Sequence, residues 1–300
     1  MNSQPILRGH LAAFITIFVW GISFISIKVL LVPFTAVEIM LFRSVIALAA
    51  LLIASPPRLP ASGLRLAGEW RYIVAGLCGT TLYMLFQNIA MTYTLAANVS
   101  VLVSVAPLFT ALLASIVFRE KLSASFFLGF AAAMAGIILI AFNGSVALKL
   151  NPLGDVLSVL AAVAWAFYSV LIRQISARPV SMLAVTRKVL TYGVLWMLPT
   201  LPLFGFRLGL ERLAVLPNLL NLLFLGVGAS ALCYVTWNYA VSILGPVRTS
   251  VYIYIIPVIT VIASALVLRE PVTLVSGAGM ALILAGMGLS ERRGKPPESG

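Results

Sequence analysis

The chain has 300 residues, of which 62% are hydrophobic and only 9% are charged, about a third of the charged fraction usual in a soluble domain. A chain this apolar cannot cover a water-facing surface, so a soluble globular protein is excluded and a membrane protein is predicted. The net charge of +12 does not indicate nucleic-acid binding, because the basic residues stand singly or in pairs between long apolar runs, as in loops that flank membrane spans.

Ten apolar stretches follow one another along the chain, each close to the roughly 20 helical residues that a bilayer core requires. The first is too long for the apolar region of a signal peptide and is predicted to be a retained helix. Prolines and glycines in the gaps, such as Gly245-Pro246, mark helix ends. The predicted helices cover residues 11–31, 34–53, 72–92, 97–117, 124–142, 153–173, 182–203, 216–241, 247–268 and 272–289. The sequence thus predicts an all-α membrane protein with ten transmembrane helices and a polar tail over residues 291–300.

The basic residues in the gaps are distributed unequally between the two sides of the predicted bundle. With the N-terminus inside, the inner loops hold Arg8, Arg58, Arg65, Arg71, Arg119, Lys121, Arg173, Arg178, Arg248, Arg292, Arg293 and Lys295. The outer loops hold Lys149, Arg207, Arg212 and Arg269. This bias follows the positive-inside rule and predicts that both termini and the tail are cytoplasmic.

The second half of the sequence repeats the first. Compositional bias produces chance matches of Leu and Ala, but it does not easily align Asn, Pro and Arg-Glu at one shift without a gap. We therefore predict a duplication, with one copy over residues 9–143 and the other over 152–290. A shift of 150 residues aligns Gly76 with Gly226, Asn88 with Asn238, Pro107 with Pro257, Arg119-Glu120 with Arg269-Glu270, and Gly136 with Gly286; a shift of 145 aligns Trp20 with Trp165 and Arg43 with Lys188.

The number of spans in each copy determines the relation between the copies. Each holds five predicted spans, an odd number, so the second copy enters the membrane from the opposite side. Secondary transporters commonly place their substrate near the midplane between two such inverted repeats, and rocking of the halves exposes it to either side. The sequence predicts two inverted five-helix repeats around a central cavity.

Several motifs resemble the EamA family of the drug/metabolite transporter superfamily. They are the Trp20-Gly21 turn of the first helix, Lys28 near its end, Arg43 in the second helix, and Arg119-Glu120 and Arg269-Glu270 after proline-containing helices. The resemblance covers essentially the whole chain and is strongest to bacterial exporters of aromatic amino acids and related metabolites. It implies a bacterial inner-membrane protein with a cavity lined mainly by the first, third, fourth, sixth, eighth and ninth helices.

Polar and aromatic side chains at mid-membrane depth are the candidates for a substrate site, because polar groups inside a bilayer are costly. A buried indole offers a flat face and one donor to an aromatic ligand, and both copies carry a tryptophan in their first helix. Asn88 and Asn238 can either face a cavity or form hydrogen bonds that link neighbouring helices. The candidates are Trp20, Ser23, Tyr83, Gln87, Asn88, Ser104, Trp165, Tyr168, Tyr234, Trp237, Asn238 and Tyr252.

Charged residues and prolines inside the spans form a second group of candidates. Arg43 and Lys188 lie about nine residues, or roughly 13 Å, into their helices. They can anchor a substrate carboxylate or bind helix-end carbonyls. Glu38 is expected to form a salt bridge with Lys28 across the first loop. Pro107 and Pro257 each remove a backbone hydrogen bond, which predicts a kink or a hinge.

The sequence carries no nucleophile elbow, P-loop or HExxH zinc helix, and its two cysteines have no metal-ligand spacing. No enzyme, metal, cofactor, nucleic acid or obligate protein partner is therefore predicted, and the single histidine, His10, is expected to be a solvated helix-end residue. The partners are a small-molecule substrate and the lipid bilayer. We predict export of aromatic and other neutral amino acids. An exchanger of anionic phosphorylated metabolites, or a lipid flippase or membrane scaffold, is the alternative.

Overall fold

A computed structural model of the chain describes residues 3–56, 68–93, 96–119, 121–141, 151–178, 180–268 and 273–291. Within these ranges all regular structure is helical, and all helices except two of one turn, Thr200–Leu203 and Leu210–Leu213, group into ten rods. The first five are α1 (Ser3–Leu30), α2 (Ala36–Ala54), α3 (Glu69–Tyr93), α4 (Ala96–Val103 with Ala106–Phe118) and α5 (Ala124–Ala141). The others are α6 (Pro152–Ile175), α7 (Met182–Met197), α8 (Leu216–Leu244), α9 (Pro246–Val251, Tyr252–Ile255 and Ile256–Leu268) and α10 (Leu274–Glu291).

Six of these rods (α1, α2, α3, α4, α6 and α8) contain a helix long and apolar enough to cross a membrane, and the described parts of α5, α9 and α10 contain shorter apolar helices. The chain is therefore an all-helical, multi-pass membrane protein. The seventh predicted span, residues 182–203, is shorter than expected: α7 ends at Met197, and a one-turn helix, Thr200–Leu203, follows. Pro199 and Pro202 explain the break, because neither can donate a backbone hydrogen bond.

Side-chain caps fix where two of the helices begin. At the start of α2 the Thr35 hydroxyl accepts a hydrogen bond from the Glu38 backbone, and the Glu38 carboxylate accepts one from the Thr35 backbone at 2.7 Å. This reciprocal capping box satisfies two backbone donors that a helix start leaves free. At the start of α6 the Asn151 side chain accepts from the backbone of Leu153 and Gly154, both at 3.2 Å.

Four rods are interrupted, in two repeat-equivalent pairs. α3 contains a π-helical stretch, Leu77–Leu82, and α8 contains another, Phe224–Leu232. α4 is interrupted by a turn at Ser104 and Val105, immediately before Pro107, and α9 passes through a 3-10 turn, Tyr252–Ile255, before Pro257. The Arg269-Glu270 turn that follows α9, Glu120, and residues 292–300 of the predicted tail lie outside the described residues.

Several helix contacts come in pairs when the rods of the first half of the chain are set beside those of the second half. α1 packs against α8 and α9, and its counterpart α6 packs against α3 and α4. α2 packs against α8, and α7 against α3. The counterparts α2 and α7, α4 and α9, and α5 and α10 also contact each other. These contacts therefore match in pairs between the two halves of the described chain.

The pair formed by α5 and α10 is held together through glycines. A Cβ atom on Gly136 would lie 2.5 Å from the Gly279 carbonyl oxygen, and one on Gly286 would lie 2.6 Å from the Gly129 carbonyl oxygen. Distances this short leave no room for a side chain, so the two backbones touch directly. Small residues spaced along a helix permit this close packing in membranes.

We expect Gly136→Ala to destabilise the protein by about 1–3 kcal/mol, because the new methyl group forces the two backbones apart. The control is Gly288→Ala on the same α10 helix, where nothing lies within 4 Å of an added Cβ. Thermal unfolding of the purified protein in detergent measures both. Equal midpoints for the two variants would contradict the close contact.

Candidate functional site

Six aromatic side chains meet where α1, α3, α6 and α8 pack together, and we call them the aromatic cluster. Trp165 of α6 lies at its centre, and its ring centroid is 4.8–5.8 Å from the other five. Aromatic rings attract each other at such separations. All six were predicted as site residues, and the cluster consists of Trp20, Tyr83, Trp165, Tyr168, Tyr234 and Trp237.

The π-helical stretches supply backbone acceptors that hold two of these rings. The Trp20 indole donates a hydrogen bond to the Ala229 carbonyl oxygen at 2.9 Å, and the Tyr234 hydroxyl donates one to the Gly79 carbonyl oxygen at 2.7 Å. Gly79 and Ala229 occupy the same position in the two copies. A π-helical turn changes which backbone N–H and carbonyl groups are hydrogen-bonded to each other. In each of the two stretches a carbonyl oxygen accepts a hydrogen bond from a side chain on another helix.

Two donors within the aromatic cluster have no acceptor in the part of the chain that the structure describes. The indole N–H groups of Trp165 and Trp237 are both buried and unbonded, and the side chains are 2% and 0% exposed. A buried donor without an acceptor costs about 1–3 kcal/mol. The two rings are neighbours, with centroids 5.5 Å apart, so the cluster contains two adjacent indoles that can each donate to a ligand.

Arg43 is a buried cation beside the aromatic cluster. It is 5% exposed, its Nε donates to the Ser230 hydroxyl at 2.9 Å, and it interacts electrostatically with Tyr83 and Tyr234. Among the described residues no carboxylate pairs with it. Removing a charge from water without a counter-charge costs several kcal/mol, so the site favours an anionic group.

Lys188 occupies the equivalent position in the second copy, but its surroundings differ. Its Nζ lies 2.6 Å from the Glu69 carboxylate and 4.5 Å from the centroid of the Tyr72 ring, and its side chain is 41% exposed. Of the two predicted anion anchors, Arg43 lies beside the cluster without a counter-ion, whereas Lys188 is neutralised at the surface.

The two predicted asparagines are both buried but have different partners. Asn238 accepts a hydrogen bond from the Tyr168 hydroxyl at 2.6 Å and donates one to the Thr186 hydroxyl at 2.8 Å, so it links α6, α7 and α8. Asn88 donates to the Ala36 carbonyl oxygen at 3.2 Å, and its own side-chain oxygen has no partner in the described structure. Both asparagines link helices, and their hydrogen-bond patterns are not symmetric.

The remaining predicted site residues lie outside the cluster or bond within their own helix. Ser23 donates to the Trp20 carbonyl oxygen, and Ser104 donates to the Ser100 carbonyl oxygen. Gln87 is buried on α3, 5% exposed. Tyr252 bonds to His10, with its hydroxyl 2.7 Å from Nδ1. The expectation that His10 is a solvated helix-end residue is therefore wrong, because α9 brings a tyrosine hydroxyl to it.

An ion pair different from the predicted one connects the first turn of α2 to the segment before α8. Glu38 is fully buried and accepts two hydrogen bonds from the Arg212 guanidinium at 3.0 Å and one from the Arg207 backbone. The hydrogen bonds between the Arg212 guanidinium and the Glu38 carboxylate raise the pKa of Arg212 above its ordinary value. The predicted salt bridge between Glu38 and Lys28 is wrong: Lys28 is exposed, and folding brings Arg212 to the carboxylate from 174 residues away.

The comparisons with known proteins identify the class as a membrane transporter rather than an enzyme. The sequence profile of the EamA-like transporter family matches residues 7–142 and 152–291, and the chain therefore belongs to this family, as its motifs predicted.

Relatives match over nearly the whole length of the chain. An "Uncharacterized transporter" of Archaeoglobus fulgidus is 27% identical, over 93% of this chain and 97% of that protein. A "Probable terminal-alkyne amino-acid exporter" of Streptantibioticus cattleyicolor is 29% identical, over 94% of this chain and 93% of that protein. A crystal structure that is 18% identical matches over 97% of both chains with a TM-score of 0.74, which shows that the fold is shared.

We expect Glu38→Gln to lower the thermal midpoint by roughly 5 °C or more, because it leaves a buried amide among donors arranged for a carboxylate. Glu211→Gln is the matched control, since Glu211 also lies near Arg212, at 3.9 Å, but its side chain is 80% exposed. Surface ion pairs contribute little, so this variant should unfold like the wild type. A similar shift in both variants would show that the burial of Glu38 is unimportant.

Proposed function

We propose that the protein exports small metabolites of the aromatic and neutral amino acid class, by alternating access between two inverted five-helix repeats. The observation that carries this proposal is Arg43, a buried guanidinium without a carboxylate partner among the described residues, next to a cluster of three tryptophans and three tyrosines.

The chemistry of the cluster suits a ligand that carries a carboxylate and an apolar or aromatic body. A carboxylate has only acceptor oxygens. The indoles of Trp165 and Trp237, which lack a partner in the described structure, and the Arg43 guanidinium, which lacks a carboxylate there, are all donors. A flat side chain can then stack on the indoles, which present large apolar faces. The printed name of the S. cattleyicolor relative, an amino-acid exporter, supports the same substrate class.

The helix arrangement supports alternating access. Several contacts match in pairs between the two halves of the described chain, and the interruptions before Pro107 and Pro257 occur at equivalent positions. A proline-interrupted helix lacks one backbone bond and can bend there, so we assign these two positions as the hinges of the rocking motion. The positive-inside bias supports a plasma-membrane protein with both termini in the cytoplasm.

Exchange of anionic phosphorylated metabolites is a second candidate function, and the unpaired charge of Arg43 is the observation that favours it. This function would not need the tryptophans. The two candidates therefore differ in the expected effect of changing an indole, and one flux experiment separates them.

In liposomes with the reconstituted protein, we expect uptake of labelled phenylalanine or tryptophan. Arg43→Gln should reduce it by about tenfold or more, because hydrogen bonds to a charged group contribute roughly 1.5–3 kcal/mol. Trp165→Phe keeps most of the ring packing but removes the indole donor, and should reduce uptake about three- to tenfold. The controls are Lys28→Gln, an exposed cation on α1, and Trp196→Phe, an indole that is 40% exposed on α7.

Three results would contradict the amino-acid assignment. Loss of uptake in the controls would show a general effect on folding. Exchange of a phosphorylated sugar that Arg43→Gln abolishes and Trp165→Phe leaves intact would support the second candidate. Lipid movement without uptake of any metabolite would support a flippase.

The inverted repeat predicts that the two Arg-Glu turns lie on opposite sides of the membrane. Cys78 and Cys233 are first replaced by alanine, and Arg119→Cys and Arg269→Cys are then introduced singly. We expect an impermeant thiol reagent added to intact cells to label Arg269→Cys only, because its turn is predicted to be outside. Labelling of both positions from one side would exclude the inverted arrangement.

A further inference from the structure

Basic residues that the aromatic cluster does not use are concentrated where α3 begins and α6 ends. A cavity of about 180 Å³ opens there, and a second cavity of about 520 Å³ shares Arg71, Gln174 and Arg178 with it. We call this pair the basic cavity. Its polar lining consists of Glu69, Arg71, Arg173, Gln174, Arg178 and Lys188.

The charges around the basic cavity do not balance. Among the lining residues that the structure describes, Glu69 is the one carboxylate, and it is already bonded by Lys188 and by the Tyr192 hydroxyl. Within the described ranges Arg71, Arg173 and Arg178 have no carboxylate partner. Arg71 bonds to the neutral Gln174 side chain at 3.1 Å, Arg173 donates to the Ser242 carbonyl oxygen at 2.8 Å, and the Arg178 guanidinium makes no ion pair or hydrogen bond with any described residue. Three positive charges therefore remain without a counter-charge beside the cavity.

The surroundings of Arg71 indicate where the ligand comes from. Its guanidinium lies 5.1 Å from the centroid of the neighbouring Trp70 ring, and Trp70 is 52% exposed at the first turn of α3. Half-exposed tryptophans at helix ends are typical of the boundary between lipid and water. Val117 of α4 and Val180 after α6 are also exposed, at 40% and 38%, so the helix ends around the cavity carry apolar surface at which acyl chains can lie.

We propose that the basic cavity binds the phosphate of an anionic phospholipid headgroup. A guanidinium is a planar fork that matches a phosphate with two parallel hydrogen bonds, and Gln174 and Trp70 hold Arg71 in place for this contact. Basic pockets between transmembrane helices recognise anionic headgroups in this way. A free phosphate could make the same hydrogen bonds, but it has no acyl chains to contact the exposed apolar residues Trp70, Val117 and Val180. The bound headgroup bridges α3 of the first copy and α6 of the second.

The test uses the full-length protein, purified in dodecyl maltoside and stripped of lipid. Native mass spectrometry measures binding of dioleoyl phosphatidylglycerol, dioleoyl phosphatidylcholine and soluble glycerol 1-phosphate. We expect the protein to bind phosphatidylglycerol in preference to phosphatidylcholine, and we expect no detectable binding of glycerol phosphate. The double variant Arg71→Gln with Arg178→Gln should weaken phosphatidylglycerol binding roughly 20- to 30-fold. This is the change in affinity that follows from losing the attraction of two basic residues to an anionic lipid surface.

The matched control is Lys28→Gln with Arg207→Gln, which removes two exposed positive charges elsewhere on the chain and should bind like the wild type. Equal weakening in the control would overturn the proposal, as would equal binding of the two lipids. Competition by glycerol phosphate at the affinity of the lipid would assign the site to soluble phosphates and overturn the lipid assignment. If the double variant does not fold, Arg178→Gln alone should weaken binding about fivefold, and no weakening would refute the site.

Discussion

Hydrocarbon offers no hydrogen-bond partners, so each polar group that a helix carries into a bilayer must find its partner inside the protein or in a ligand. Most of the polar side chains at the centre of this bundle satisfy the requirement through other helices. Tyr234 uses the Gly79 carbonyl, Tyr168 uses Asn238, and Asn238 uses Thr186. Two of the buried donors without a partner in the described structure, the indoles of Trp165 and Trp237, are adjacent, and this pair is the part of the bundle centre that a ligand could satisfy.

The two segments that match the family profile, residues 7–142 and 152–291, share features of packing but not the same chemistry. The helix contacts, the π-helical stretches and the interruptions before the prolines occur in both. At one equivalent position, however, the first copy has a buried Arg43 without an ion pair in the described part of the chain, and the second has a half-exposed Lys188 bound to Glu69. The two segments therefore differ at this position, and the first supplies the buried cation.

The sequence predicted the helical fold, the transporter family and the residues of the aromatic cluster, because these features depend on hydropathy, on the repeat and on aromatic residues at mid-helix depth. It did not predict the partner of Glu38, since Arg212 lies in a polar stretch that nothing in the local pattern connects to α2. Nor did it predict that Thr186 and Ser230 bond to Asn238 and Arg43. Such pairs depend on how the helices rotate against each other, and a single sequence holds no record of that rotation.

The π-helical stretch Phe224–Leu232 has a geometric consequence for the residues that follow it. Each residue of an α-helix advances about 100° around the axis, and a π turn accommodates an additional residue without breaking the rod. Loss of a single residue from this stretch would turn Tyr234 and Trp237 by about that angle, away from Trp165 and towards another face of the bundle. The length of the π-helical stretch thus sets which face of the bundle the aromatic rings in the second half of α8 point towards.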